Sequence, residues 1–209
     1  MAKIFICVLV LAISSVFAGG DIVLPQPDKT GGKPLMQVLS ERKTSRSFDK
    51  AALSAKDLSN LMWAAFGVNR PETNGRTAPS AMNMQEIDVY AALAEGLFLY
   101  DAKTHTLKKI SDKDIRAATG KQPFVASAPV NLIFVANFDK VKNGKTDDSR
   151  FYAAMDAGFI SENVYLYCAS ANLATVVRGY VDRELLAKEM ALTEKQEIIL
   201  SQTVGYPGK

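Results

Sequence analysis

The sequence of 209 residues predicts an α+β fold, with the folded domain spanning residues 34–209. Helical and strand patterns follow one another without the regular alternation that a doubly wound parallel sheet requires. Short strand patterns succeed one another across turns such as Glu95-Gly96, which is typical of hairpins. One long helical segment, 150–171, lies between the earlier strands and the last ones. Helices and strands are therefore mixed along the chain.

Capping residues and apolar spacing predict the helices. Pro34 suits the first turn of a helix whose apolar residues follow at i, i+3 and i+4. A second helix begins at Ser54, where Asp57 stands in a capping-box-like position, and Gly67 ends it. The other predicted helices are a short one at 111–118, the long one at 150–171 and one that Asp182 caps, at 182–190.

Apolar runs bounded by turn residues predict the strands. The segment 130–136 (VNLIFVA), which follows Pro129, has the pattern of a buried strand. The remaining strand predictions are 87–93, 97–100, 106–110, 176–177 and 198–204. Residues 19–33 are rich in Pro, Gly and charge, and they predict an extended lead-in to the domain.

The first 18 residues have the pattern of a cleavable signal peptide. Lys3 supplies a positive start, an apolar stretch follows, and Val16-Phe17-Ala18 is a small-residue cleavage pattern. The apolar stretch is shorter than the ~20 residues that a membrane-spanning helix needs. We therefore expect export to the periplasm or the exterior, with no stable membrane insertion after cleavage.

Composition excludes several classes of chemistry. The 25 basic and 22 acidic residues are too balanced for a nucleic-acid surface built on bulk charge. The chain has a single histidine and two cysteines, which excludes histidine-dependent triads, multi-histidine metal sites and a disulfide framework. Protein nucleophiles are consequently scarce, and a bound cofactor would supply the missing reactivity. We expect no metal site.

Three polar segments could bind such a cofactor. Arg42–Asp49 places three cations and three hydroxyl groups just after a helix, a pattern that suits a phosphate or a delocalised anion. Pro79–Gln85 combines small residues with two amide side chains, and Leu173–Tyr180 carries an extended apolar pair that ends at a glycine. Taken singly, each segment is equally consistent with a solvated turn or a plain connection.

Together and in this order, the segments resemble the flavin-dependent nitroreductase family. The first matches the family's Arg-x-Ser/Thr-x-Arg/Lys motif, and the second matches its Pro-Ser-x-x-Asn-x-Gln loop. The resemblance extends over residues 34–207 and also includes Asp156-Ala157-Gly158, the third segment and the closing segment 203–207.

The resemblance implies a mainly antiparallel sheet flanked by helices, in an intertwined homodimer that binds FMN at each subunit interface. It also implies ping-pong hydride transfer from NAD(P)H through the flavin to a small planar acceptor, such as a nitroaromatic or a quinone. The family admits two alternatives for this chain. It could oxidise azoline rings in modified peptides, or it could bind flavin without turnover.

The resemblance also assigns the cofactor-binding residues. Arg42 would hold the FMN phosphate, Thr44 would lie near the ring or the ribityl chain, and Arg46 would face the pyrimidine edge. The second segment would come from the partner subunit, and the third would run along the ring near N5. The full predicted set is Arg42, Lys43, Thr44, Arg46, Pro79, Ser80, Ala81, Asn83, Val176, Val177, Arg178, Gly179 and Lys209. No catalytic side chain is expected, because the flavin itself carries the hydride.

Three further residues carry simpler interpretations. His105 is predicted to be an exposed turn residue, since it lies among polar residues at a hairpin tip. Cys168 is predicted to be a small buried hydrophobe of the long helix. Trp63 falls off the apolar stripe of its helix, and packing against a neighbour is favoured over stacking on a cofactor.

Overall fold

The computed structural model describes residues 20–209. The predicted signal peptide of residues 1–18 lies outside the described residues, and the predicted lead-in lies inside them except for its first residue. Among residues 20–209, no helix combines the length and hydrophobicity needed to cross a membrane.

A seven-stranded sheet forms the centre of the molecule, and every pair of neighbouring strands in it is antiparallel. Its strands are β1 (Ile22–Val23), β4 (Ile87–Leu93), β5 (Gly96–Asp101), β6 (Thr106–Ser111), β7 (Val130–Asn137), β8 (Ala174–Arg178) and β9 (Gln196–Gly205). They lie in the order β1-β6-β5-β4-β7-β9-β8. A separate two-stranded ribbon pairs β2 (Val68–Arg70) with β3 (Gly75–Arg76).

Helices cover both faces of this sheet, so its central strands are apolar on both sides. The helices are α1 (Leu35–Glu41), α2 (Ala55–Phe66), α3 (Asp147–Ser170) and α4 (Arg183–Glu189). Alternate residues of β4 show the division: Val89 belongs to the core under α2 and α3, whereas Tyr90 belongs to the core under α4. This mixed arrangement confirms the predicted α+β class.

Helix α3 is the element that positions most of the candidate site. A capping box begins it, in which the Thr146 side chain accepts a hydrogen bond from the Ser149 backbone and the Ser149 side chain accepts one from the Thr146 backbone. One side of α3 packs on the sheet through residues such as Ala157 and Ile160, which have no exposed surface. The opposite side exposes large apolar residues, namely Phe151, Met155 and Phe159.

Most predicted elements are present, with some differences in length and type. The prediction of a helix at 111–118 is wrong, because Ser111 ends strand β6 and only a short 3₁₀ turn forms at Arg116–Thr119. The strand predicted at 176–177 extends over Ala174–Arg178, because it pairs along its whole length with β9. Cys168 is buried, as predicted.

The interpretation of His105 as an exposed residue is wrong. His105 does occupy a turn, with a φ of 51°, but its ring is partly buried between two elements. Nε2 lies 2.7 Å from the Ser59 hydroxyl on α2, and Nδ1 lies 2.8 Å from the Tyr100 hydroxyl on β5. Burial accordingly lowers the pKa of this histidine. The single histidine thus joins a helix to the sheet.

Candidate functional site

The first predicted segment and strand β8 meet at one tyrosine of helix α3. The Tyr165 hydroxyl accepts a hydrogen bond from the Val177 backbone N–H at 3.0 Å and lies 3.1 Å from the Thr44 hydroxyl. The Ser45 backbone N–H donates to the Thr175 carbonyl at 2.9 Å, which ties the basic segment to β8 directly. We refer to Arg42–Ser47, Tyr165 and Thr175–Val177 as the Tyr165 cluster. The structure therefore brings the first and third predicted segments together.

The C-terminal segment closes one side of the Tyr165 cluster. The Gly208 backbone N–H donates to the Ser47 carbonyl at 3.1 Å, and Phe48 forms an isolated β-bridge with Pro207. A cavity of about 450 Å³ lies here. Residues lining it include Lys33, Lys43, Tyr165, Thr175 and Pro207. Lys33 is paired with Glu41, which also lines this cavity, so Lys43 is the lining cation without a carboxylate partner among residues 20–209.

The charges of the Tyr165 cluster are available to a ligand. Arg42 lies over the Tyr165 ring, with 5.4 Å between the guanidinium carbon and the ring centroid. Lys43 and Arg46 are exposed, and within residues 20–209 neither makes an ion pair. Three neighbouring cations without a carboxylate partner suit a phosphate group.

The second predicted segment is attached to a different part of α3. The Asp156 carboxylate accepts a hydrogen bond from the Ala81 backbone N–H at 2.9 Å, and the Ser80 hydroxyl accepts one from the Gln85 backbone N–H at 3.0 Å. Met82, Asn83 and Gln85 all adopt positive φ values, between 51° and 53°. We refer to Pro79–Gln85 as the amide loop. Its backbone is held in a conformation that non-glycine residues rarely adopt.

The amide loop and the Tyr165 cluster are separate within one chain. Their anchors, Asp156 and Tyr165, are about 14 Å apart along the helix axis at 1.5 Å per residue. No hydrogen bond joins the amide loop to the Tyr165 cluster within the described residues. Pro79 and Asn83 are exposed, whereas Ser80 and Ala81 are partly buried.

Arg178, one of the residues predicted to bind the cofactor, has its side chain buried in the core, so only its backbone could run along a ring as predicted. Arg178 is 4% exposed, and its guanidinium donates to the Thr119 carbonyl at 2.6 Å and to the Asn131 side-chain oxygen at 3.1 Å. It turns into the core because it ends β8 on the inward-facing side of the strand. Burial lowers the pKa of Arg178 to about 10, so the group stays protonated at neutral pH.

The other predicted residues near β8 present backbone or exposed groups. Val176 is buried and Val177 partly buried, so a cofactor would meet them through the main chain. Gly179 is exposed, and a Cβ added there would contact nothing within 4 Å. Lys209 is exposed. It lies two residues beyond Pro207, in the C-terminal segment that closes one side of the Tyr165 cluster.

Sequence reasoning missed Tyr165, Glu86 and the anchoring role of Asp156. Tyr165 belongs to none of the predicted motifs. The sequence shows only that it lies on the same long helix as Asp156. Glu86 follows the amide loop directly, and a charged residue at the entrance of an apolar strand is the signal that could have found it.

Comparisons with known proteins agree with this geometry. The family model of the nitroreductases matches residues 39–206. The chain belongs to the nitroreductase family. A Methanocaldococcus jannaschii protein assigned to the nitroreductases is 31% identical over 162 residues, which are 72% of this chain and 81% of that protein. A nitroreductase-family structure from Ralstonia eutropha is 48% identical, covers 90% of each chain and has a TM-score of 0.86.

More distant structures share the fold of this nitroreductase. The Vibrio harveyi NADPH:FMN oxidoreductase, solved with NAD⁺, is 15% identical with a TM-score of 0.64, over 84% of this chain and 69% of that one. The Escherichia coli microcin synthetase complex contains a chain that is 17% identical with a TM-score of 0.70, over 99% of this chain and 85% of that one. Family membership makes this protein an oxidoreductase, and the predicted nitroreductase-like fold is confirmed.

Proposed function

We propose that this nitroreductase is an FMN-dependent enzyme that passes electrons from NAD(P)H to a small planar acceptor. The observation that carries the proposal is the Tyr165 cluster, where unpaired cations lie beside the main chain of β8. Such a pairing suits a ligand with a phosphate at one end and a flat ring at the other. When bound, FMN would supply the hydride chemistry that a chain with a single histidine lacks.

The cluster's residues divide the task of holding the cofactor. Arg42 and Lys43 would bind the phosphate, and Thr44 would donate a hydrogen bond to the chain or ring. The Arg46 guanidinium would stabilise negative charge at the pyrimidine edge of the ring, since a fixed cation favours the reduced, anionic form. The backbone of Val177 and Gly179 would set the ring's position, and Lys209 would add a cation.

A homodimer would complete the site. In one chain the amide loop is attached about 14 Å along α3 from the Tyr165 cluster, so a second copy is a direct way to bring a loop to the cluster. The exposed side of α3 suits such a contact. It combines large apolar residues with the small, exposed Ala154 and Gly158, where another backbone can approach closely. Pro79, Ser80, Ala81 and Asn83 would then serve the partner's cofactor.

Export through residues 1–18 remains part of the proposal. FMN would then be acquired outside the cytoplasm, or the electron donor would be a reduced carrier other than NAD(P)H. Peptide-azoline oxidation and flavin binding without turnover are the alternatives for the same site. The microcin synthetase neighbour shares the fold alone and does not favour either alternative.

The test is anaerobic reduction of the reconstituted protein. We expect the mature chain to bind FMN, and NADH or NADPH to bleach its visible absorbance, with recovery on addition of a quinone or nitroaromatic.

Arg46→Ala should weaken FMN binding and lower the reduction potential of the bound flavin. Lys188→Ala, which removes an exposed cation on the opposite face of the sheet, is the matched control. If flavin binds but neither NADH nor NADPH reduces it, the alternative of flavin binding without turnover is favoured. If a peptide that contains azoline rings reduces the flavin, peptide-azoline oxidation is favoured. A chain that takes up no FMN would refute the proposal.

A further inference from the structure

The amide loop ends at a buried acid that no part of the proposed mechanism uses. Glu86 connects the loop to β4 and has no exposed surface. Its backbone is fixed, because the carbonyl accepts a hydrogen bond from the Asn137 backbone N–H at 2.9 Å. Neither carboxyl oxygen has a hydrogen-bond donor among the described residues. An ionised carboxylate without a donor or a cation is too costly to bury, so this group must hold a proton or share one.

The partner for that proton is Asp156. This residue is 2% exposed, and its carboxyl is close enough to act on that of Glu86 and to accept a hydrogen bond once Glu86 is protonated. Two carboxylates in contact cannot both be ionised at low cost. Burial, followed by the charge of Asp156, raises the pKa of Glu86 to about 7.

Few other charges face the pair. Lys140, in the 3₁₀ turn after β7, is a cation whose charge acts on Glu86. Its ammonium group is already bound to the Gln85 carbonyl at 3.2 Å and to the Asp88 carboxylate at 2.6 Å. Lys140 therefore does not provide a counter-charge in direct contact with Glu86.

The pair also determines where the amide loop lies. With Glu86 protonated, its O–H can donate to the Asp156 carboxylate, which also accepts the Ala81 N–H. One proton thus completes a chain of contacts from β4 through α3 to the middle of the loop. The loop needs this support, since its three left-handed residues are unfavourable on their own.

We propose that Glu86 and Asp156 are positioning residues that share one proton, and that this proton fastens the amide loop to helix α3 in the geometry that binds cofactor. The part of the proposal that concerns cofactor rests on the proposed function. The part that concerns the loop does not, because it is a property of the protein without ligand. Loss of the proton at rising pH leaves two negative charges in contact and releases the loop.

The sign of the pH dependence follows from linkage. The folded protein keeps a proton on Glu86 up to about pH 7, because burial raises the pKa of this group, whereas an unfolded Glu releases its proton near the ordinary value of 4.5. The folded state therefore binds more protons in this window, and the unfolding constant should rise by up to about tenfold per pH unit between them. The stabilisation is present at low pH and is lost as pH rises through the folded-state pKa.

The experiment compares wild type with Glu86→Gln and Asp156→Asn, in the full chain without cofactor. Hydrogen exchange of residues 79–85, corrected for the intrinsic pH effect, reports the loop at pH 6 and pH 8.5. In wild type we expect protection at pH 6 and a loss of about tenfold or more at pH 8.5. Glu86→Gln keeps a donor without a titrating proton, so its protection should not change with pH. Asp156→Asn removes the like charge but leaves Glu86 buried, so its pH dependence should be smaller than that of wild type without vanishing. This second variant keeps the test decisive if Glu86→Gln does not fold.

FMN titration of the same proteins then tests the link to cofactor. The wild-type dissociation constant should increase between pH 6 and pH 8.5 more than that of Glu86→Gln. Equal pH dependence of exchange in wild type and both variants would overturn the shared proton. A loop that opens with pH while FMN affinity stays constant would overturn its role in cofactor binding. If no FMN binds at any pH, the proposed function fails, and the exchange data still decide on the shared proton.

Discussion

The two parts of the candidate site are built by different means. In the Tyr165 cluster, the basic segment and β8 are joined by one backbone hydrogen bond and by one buried tyrosine hydroxyl. The amide loop instead has left-handed residues, and Met82 at its tip is 80% exposed. Asp156 of α3 holds its middle through the Ala81 N–H, and Gln85 at its end bonds to the Arg76 side chain and the Asn74 carbonyl. The cluster is thus part of the sheet's own architecture, whereas the loop is an added segment.

This difference indicates how binding and adaptation are divided. Groups fixed by the sheet suit the parts of a ligand that never change, such as a phosphate and a ring edge. A loop held by few contacts opens at lower cost than the sheet, and it can respond to pH or to a partner. In the proposed dimer, each cofactor would meet one part of each kind, and from different chains.

The largest expected effect comes from separating the two parts genetically. We expect Arg42→Ala/Arg46→Ala and Ser80→Ala/Asn83→Ala each to lose FMN binding as pure proteins. After the two are mixed and allowed to exchange subunits, mixed dimers would carry one intact site and one doubly altered site. Random exchange predicts recovery of about a quarter of the sites. The measurement is flavin bound per chain after gel filtration.

Recovery would show that the loop acts on the partner's cofactor. Failure to recover any binding, although subunits exchange, would mean that both parts of a site belong to one chain. Wild type mixed with each variant gives the baseline, because half of the sites in that mixture stay intact whether or not subunits exchange.

Two arginines predicted for the same cofactor should differ strongly. Arg178→Ala leaves the Thr119 carbonyl without its donor and opens a cavity, so we expect a loss of about 3 kcal/mol in the free energy of unfolding. Arg46→Ala removes an exposed side chain and should change the free energy of unfolding by less than about 0.5 kcal/mol. Urea denaturation of both proteins without FMN measures this directly. Equal losses would mean that the two side chains have similar surroundings.

Individual residues show which parts of the fold and the site can be predicted from the sequence and which cannot. The sheet, its helices and the order of the binding segments could be predicted, because periodicity and motif spacing are local signals. The direction of the Arg178 side chain could not, because it depends on the register of β8 against β9 and on a turn at Thr119 far away in sequence. The Glu86–Asp156 contact is likewise long-range. The burial of His105 could not be predicted either, because a polar turn sequence does not show which helix packs over it.

A smaller effect should distinguish the contacts inside the Tyr165 cluster. Tyr165→Phe removes the acceptor for the Val177 N–H, which costs about 1–2 kcal/mol in the free energy of unfolding, and it should also weaken FMN binding. Tyr152 on the same helix is the control, since its hydroxyl makes no hydrogen bond within residues 20–209 and its ring is 36% exposed. Tyr152→Phe should leave stability within about 0.5 kcal/mol of wild type. If both variants behave alike, the hydroxyl of Tyr165 does not hold the cluster together.

The smallest expected effect tests the backbone of the amide loop. Met82 has a φ of 51° and is 80% exposed, so replacing it with glycine relieves a left-handed conformation while losing little buried surface. Such a conformation costs a side-chain-bearing residue roughly 1–2 kcal/mol, partly offset by the entropy of glycine in the unfolded chain. We expect Met82→Gly to raise the free energy of unfolding by about 0.5 kcal/mol. Met36 is equally suitable as a control, because it is 75% exposed but helical, and Met36→Gly should lower stability by about 1 kcal/mol. If the free energy of unfolding rises in Met82→Gly and falls in Met36→Gly, the backbone of the loop is strained and that of the helix is not. If it falls in Met82→Gly as well, the loop's own contacts stabilise this conformation.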